Sequence, residues 1–341
     1  MDSQFSTAIA RLLTDLSTPK EIRAIEQGAP WTSLWKAVEE SGFADALVPE
    51  DRGGGGLAPA DVFGVLLACG RHALPVPLGP AMFARAALAQ AEREIPAGPL
   101  TIAASARDCP DGSLQCARVP FARASEWVLA DLGETLALLA VREAAILPAA
   151  NVYGSLEADL RWSGASVEKG RLARSVDLRA MGACLFATHI AGAMERILED
   201  TVRYANERSQ FGKSIGKFQA IQQQVSVMSE QVFASRMAAQ LGCGVAGFQP
   251  TPLLCAVAKA RTSEAVVPVA NAAHAVHGAI GMTEEYDLQL YTRRLHEWRL
   301  AFGSEAYWQQ RIGEALCCDP ASSTLEFIRG HLAPVATELS H

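Results

Sequence analysis

Apolar residues recur at helical spacing from the beginning of the chain. Ile9, Leu12, Leu13 and Leu16 share one helix face, and Trp31, Leu34, Trp35 and Val38 share another. Gly42 stops the second helix. Residues 43–49 then read as extended, and residues 51–56, with four consecutive glycines, as a tight turn. Residues 62–69 read as a buried helix, closed by Pro75, Pro77 and Pro80. The texture changes near Gly98. Short apolar or alternating runs at 100–104, 114–120, 127–130 and 135–141 are separated by Pro, Gly and Asp. They predict a small antiparallel β module ending near Arg174. Long helices return from Asp177. Over residues 220–241, Ile221, Val225, Met228, Val232, Ser235 and Ala239 form one stripe, with Gln222, Gln223, Gln224, Glu230 and Gln231 opposite. Pro250 and Pro252 lead into an Ala-rich helix over 253–276, which residues 277–281 break. Further helices are expected from about Thr283 to Leu300 and from Gly303 to the Cys317 region. The fold class expected is α+β, mainly α. An N-terminal helical domain (1–97) precedes a middle antiparallel β domain (98–174) and a C-terminal four-helix bundle (175–341).

Composition narrows the function. The 341 residues carry 30 Lys+Arg against 37 Asp+Glu, a net charge of −7. That balance argues against nucleic-acid or anionic-membrane partners, which favour a basic face. No run of ~20 apolar residues suggests a spanning helix, and residues 1–4 do not open a signal peptide. A cytoplasmic protein is therefore expected. The eight cysteines form no CxxC pair and read as reduced core filler. His274 and His277 lack a third partner at metal spacing, so no metal is expected. The glycines at 53–56 lack the lysine and hydroxyl of a phosphate loop.

Three segments gather chemistry. Residues 207–219 join two helices and hold Arg208, Lys213, Lys217, Phe211 and Phe218 with two glycines. Arg208 can fork onto a phosphate, and Phe211 can pack on a flat ring. Residues 274–282 offer Gly278 and Gly281, where a backbone can approach a ligand closely. Residues 293–305 carry three arginines with Glu297 and Glu305; surface ion pairing is the expectation for Glu297.

Together these segments resemble the acyl-CoA dehydrogenase family. The run from Arg203 to Ile221 is similar to its E-R-x-x-F-G-x-x-I-x-x-F-Q motif. The HGAIGMTEEY run resembles its H-G-G-x-G-x-T-x-E segment, and residues 42–54 resemble its V-P-E-x-x-G-G turn. The resemblance covers nearly the whole chain in the same order. It implies a flavoenzyme that desaturates an acyl-CoA thioester between Cα and Cβ. A carboxylate takes the α proton, hydride passes to FAD, and hydrogen bonds hold the enolate-like oxygen. FAD would lie at a subunit interface, with Arg208 on its phosphate, Phe211 beside it, and Gln210, Phe218, Gln219 and Gly278 along the same groove. The implied partners are a homologous subunit in a homo- or hetero-oligomer and electron-transfer flavoprotein as acceptor.

The chain departs from that pattern. It lacks the T-E-P-x-x-G-S-D segment that meets the flavin ring, and Ala275 stands where many relatives carry Gln. The two positions that relatives use for the catalytic glutamate read Phe302 and Gly182, and neither side chain accepts a proton. Three readings follow. The chain is the base-lacking subunit of a heteromeric dehydrogenase; or a self-sufficient homo-oligomeric enzyme with Glu305 as displaced base; or a CoA-ligand-binding scaffold subunit without flavin. In the second, Glu305 also reads as an ordinary helix N-terminal carboxylate capped by Ser304.

Overall fold

In a computed structural model, residues 3–104, 106–147, 154–244, 247–320 and 323–332 are described. The N-terminal third is helical: α1 (Ser3–Leu16), α2 (Pro19–Glu26), α3 (Thr32–Glu40), α4 (Phe63–Arg71) and α5 (Leu78–Gln90). The middle third holds β1 (Leu100–Ala103), β2 (Arg107–Asp108), β3 (Leu114–Val119), β4 (Trp127–Asp131), β5 (Thr135–Ala140), β6 (Ala145–Leu147), β7 (Ala158–Trp162), the short α6 (Gly164–Gly170) and β8 (Arg171–Ala173). Then come α7 (Leu178–Glu207), the hairpin β9 (Ser209–Gln210) and β10 (Lys213–Ser214), α8 (Gln219–Cys243), α9 (Pro252–His277), α10 (Leu288–Leu300), α11 (Glu305–Cys318) and α12 (Thr324–His331).

Several local expectations need correction. Residues 43–45 form a 3-10 turn, not a strand. Gly42 in the left-handed region starts it, and Leu57 N–H closes back on the Ala46 carbonyl. The glycine turn that follows is tightly packed: a Cβ on Gly54 or Gly55 would run into the backbone of Val48 or Ala46. Pro80 does not end a helix. It stands in the first turn of α5, where its missing N–H has no intrahelical partner to lose. Among the strands, β1 and β4 pair in parallel, because the chain crosses through the second sheet between them. The two four-stranded sheets run β1-β4-β5-β8 and β2-β3-β7-β6, and every other pairing is antiparallel. The helix expected from Thr283 begins at Leu288, since residues 278–282 form a separate 3-10 turn.

One apolar core joins the N-terminal helices to the C-terminal bundle, while the sheets enclose a second. The bundle packs α7, α8, α9 and α10 against one another, with α11 against α9. On α8 the buried stripe is Met228, Val232, Ser235 and Ala239; Ile221 and Val225 at its start are only half-buried. Residues 252–282 do reach the length and mean hydropathy of a membrane-crossing helix. That amends the expectation that no segment would. The alanines raise the hydropathy, yet Lys259, Arg261 and Glu264 interrupt the run and α7, α8, α10 and α11 flank it. Cys69, Cys109, Cys116, Cys184, Cys243 and Cys255 are buried, whereas Cys317 and Cys318 are exposed.

Candidate functional site: a basic aromatic cleft and a closed crevice

A cleft of about 670 Å³ opens where α7 ends and α8 begins. Arg208 terminates α7, and its N–H still bonds the Tyr204 carbonyl. The chain then reverses through β9 and β10. Phe211 and Gly212 at the tip have φ of 52° and 79°, the handedness that two-residue hairpins favour. A phenylalanine there carries backbone strain of about 1–3 kcal/mol. It is not repaid by burial, for the Phe211 ring is 91% exposed. It meets Phe218 edge-on at 6.2 Å, and the Lys213 ammonium lies 4.3 Å from the Phe218 ring centre.

The opposite wall is the end of α9. His277 stacks on Tyr204 at 4.4 Å, and the Tyr204 hydroxyl donates to the His277 carbonyl. Gly278 follows with φ 65° and ψ −145°, a conformation open to glycine, and a Cβ there would meet nothing within 4 Å. The His277 Nδ1 faces the Ala273 carbonyl at 2.8 Å, while its buried Nε2 has no partner among the described residues. Arg208, Gln210, Phe211, Phe218, Ala275 and Gly278 therefore line one cleft. Gln219 is exposed at its edge as the first residue of α8, whose start has no side-chain cap. Arg208 has no ion pair among the described residues. A free guanidinium beside uncapped helix N–H groups suits an anion, and the two phenylalanine faces suit a flat ring. Tyr204 and His277 were not picked out as a wall from the sequence, although the i, i+4 spacing from Tyr204 to Arg208 carried the signal.

The two positions at which the resemblance would place a catalytic base lie elsewhere, and they touch. Phe302, at φ 57°, lays its ring on Gly182, so that a Cβ at 182 would run into the ring carbons. The ring stacks on Phe186 at 5.4 Å, and Phe186 stacks in turn on Phe121 at 6.4 Å. A residual cavity of about 210 Å³ adjoins the 300–303 turn, lined also by Ala103, Arg118, Glu157 and Arg179. Among the described residues, none that lines it carries a hydroxyl.

Glu305 lies outside the cleft. It is the first residue of α11, with Ser304 as N-cap. Arg299 grips both carboxylate oxygens, one from Nε at 3.0 Å. Those bonds hold the carboxyl below its ordinary value against partial burial. Glu297 differs from its expectation. It does not pair on the surface but lies half-buried beside Ser155, Glu157, Glu26 and Arg294, and burial pushes its carboxyl up to about 6. Glu26 is already engaged by Arg293 and Arg294 at 3.0 Å each, which leaves Glu297 without a full counter-charge. A raised carboxyl means the folded state holds more protons than the unfolded one between about pH 4.5 and 6. Its contribution to stability is thus greatest below that window and is lost as pH rises through it. Glu297→Gln is expected to stabilise the chain by about 1–2 kcal/mol at pH 7.5 and to leave it unchanged at pH 4; urea midpoints at the two values check this.

Helices, two small sheets and helices around a basic aromatic cleft define the class: the acyl-CoA dehydrogenase fold. Within that class the chain is similar to acyl-CoA dehydrogenases. Residues 179–317 match the family model described as the acyl-CoA dehydrogenase C-terminal domain. Acyl-CoA dehydrogenase IpdE2 of Mycolicibacterium smegmatis is 28% identical over 298 residues, covering 84% of this chain and 90% of that protein. Among solved structures, the ChsE4-ChsE5 complex from Mycobacterium tuberculosis superposes with a TM-score of 0.76 at 22% identity, covering 94% of this chain and 98% of that one. PigA with FAD and proline gives a TM-score of 0.75 at 18% identity, covering 93% and 97%. These structures share the fold.

Proposed function

We propose that this chain is the base-lacking subunit of a heteromeric acyl-CoA dehydrogenase. The observation that carries the reading is the Phe302 ring lying on Gly182. Neither position carries a proton-accepting group, and the Phe302 ring fills the space that a side chain at 182 would need. Glu305 is a poor substitute, because two hydrogen bonds from Arg299 stabilise its ionised form and weaken it as a base.

The residues present suit one part of FAD better than the other. Arg208, the N-terminus of α8, Phe211 and Phe218 suit the phosphates and a stacked ring. Among the described residues, the crevice by Phe302 has no hydroxyl donors for an isoalloxazine. The chemistry supplied by bound FAD is acceptance of the hydride that leaves Cβ. This chain's part is to hold: Arg208 neutralises a phosphate, Phe211 and Phe218 flank the cofactor, and Gly278 lets backbone pass close to it. The homologous partner supplies the base and most of the flavin site. The complex partner in the ChsE4-ChsE5 structure supports an assembly of two related chains. Electron-transfer flavoprotein as electron acceptor, lipid degradation as setting and the cytoplasm as compartment belong to the same reading.

Reconstitution tests it. Mixed with a homologous subunit that carries both the missing segment and a base, the chain is expected to desaturate acyl-CoA; alone it is expected to be inert. In that complex Glu305→Gln should leave turnover within about twofold. A loss of the 10²-fold or greater size that removing a general base produces would restore the self-sufficient reading.

A further inference from the structure

Lys259 is buried completely in the middle of α9, where an ammonium is costly unless every donor is used. Here each is. Its Nζ donates to the Ser263 hydroxyl at 2.8 Å, to the Arg299 carbonyl at 2.8 Å and to the Gly303 carbonyl at 3.0 Å. An ammonium has three protons, so nothing is left over. Arg299 and Gly303 flank the turn that carries Phe302, and two residues of that turn, Phe302 and Gly303, have φ of 57° and 112°. Left-handed backbone at a phenylalanine persists only where the surroundings over-determine it. The last carbonyls of α10 also need donors from outside the helix. Lys259 meets both needs with one charge.

We propose that Lys259 is a positioning residue: by holding the carbonyls on both sides of Phe302, it keeps that ring seated on Gly182 and this subunit's crevice shut to an acyl thioester. The inference rests on the reading of this chain as the base-lacking subunit and adds a device to it. The crevice is closed actively, by a tether from α9, and not merely left without a base. The geometry of the three hydrogen bonds carries the clamp, and the surrounding charges act on it in both directions. Burial pushes the Lys259 ammonium down to about 7, Glu305 opposes that shift and Arg299 reinforces it. Glu305 therefore has a structural task already, as the carboxylate that balances Arg299 and Lys259.

The test follows the ring itself. The full chain is made with 4-fluorophenylalanine at position 302 alone and studied by ¹⁹F NMR, with Lys259→Met and the milder Lys259→Gln. Wild type is expected to give one resonance, displaced by the neighbouring Phe186 ring. The variants are expected to add a second, solvent-like resonance with a population of about a tenth or more, and to bind octanoyl-CoA where wild type does not. Lys259→Gln answers if Lys259→Met fails to fold. A single displaced resonance in the folded variants, with only the melting temperature lowered, overturns the clamp. Stoichiometric octanoyl-CoA binding to wild type, with the ring displaced, would also overturn the clamp, whereas bleaching of FAD by octanoyl-CoA in the lone wild-type chain would instead overturn the base-lacking reading, whatever the variants do.

Discussion

Adding one methyl group at position 182 is expected to destabilise the chain by about 3 kcal/mol, the upper range for overpacking a filled core. Gly182 lies on α7 with the Phe302 ring directly against it, and Phe302 cannot retreat. Phe186 stacks beneath the ring, and the turn is held by Lys259. Phe302→Ala alone should cost about as much, through the cavity it leaves. The double variant is the informative one. If the two positions compete for one space, Gly182→Ala and Phe302→Ala together should cost about 2 kcal/mol less than their sum, a coupling of the size seen for residues in contact. Denaturant unfolding of the four proteins measures it. Strict additivity would mean that the two positions do not share the space, and the structural argument for a missing base would weaken with it.

Removing the Arg208 guanidinium is the second large effect. In the reconstituted heteromer, Arg208→Met is expected to weaken FAD about 10- to 100-fold, the equivalent of one charge-assisted bond of about 1.5–3 kcal/mol. The protein itself should be unaffected, because Arg208 is exposed and makes no ion pair among the described residues. The loss should also shrink as salt rises, since an exposed guanidinium is screened. Titration of the apo-complex with FAD at low and high salt, alongside a thermal melt, separates the two effects. An unchanged FAD affinity would remove Arg208 from the cofactor site.

Much of this architecture was legible in the sequence where periodicity is strong. The α8 stripe from Met228 onward, the Asp177 start of α7 and the four main strands appear where the residues place them. The misses have physical causes. Residues 43–49 are apolar enough to look extended, but Gly42 adopts φ 78° and turns them. The parallel β1–β4 pair depends on a crossover through another sheet, which no local pattern records. The strand β7 and the pairing of β6 with it were hidden for the same reason. In the cleft, Arg208, Gln210, Phe211, Phe218 and Gly278 were readable because one short connection and one glycine carry them. The contact between Gly182 and Phe302 was not readable, since 120 positions of chain separate the two numbers and only packing brings them together. Glu297 was misread because its neighbours Glu26 and Glu157 come from α2 and from the approach to β7. Lys259 did leave a trace, as a cation within the apolar part of an Ala-rich helix. A charge in such a place has either a partner set or a lowered pKa, and here it has both.

The most direct test of the central claim is the visible absorption spectrum of the purified chain, recorded alone and after assembly with a homologous base-bearing subunit, with protein mass measured on the same samples. The account predicts a colourless chain that does not oxidise acyl-CoA, and flavin absorption with turnover in the complex. A lone chain carrying about one FAD per subunit, bleached by acyl-CoA, would contradict it.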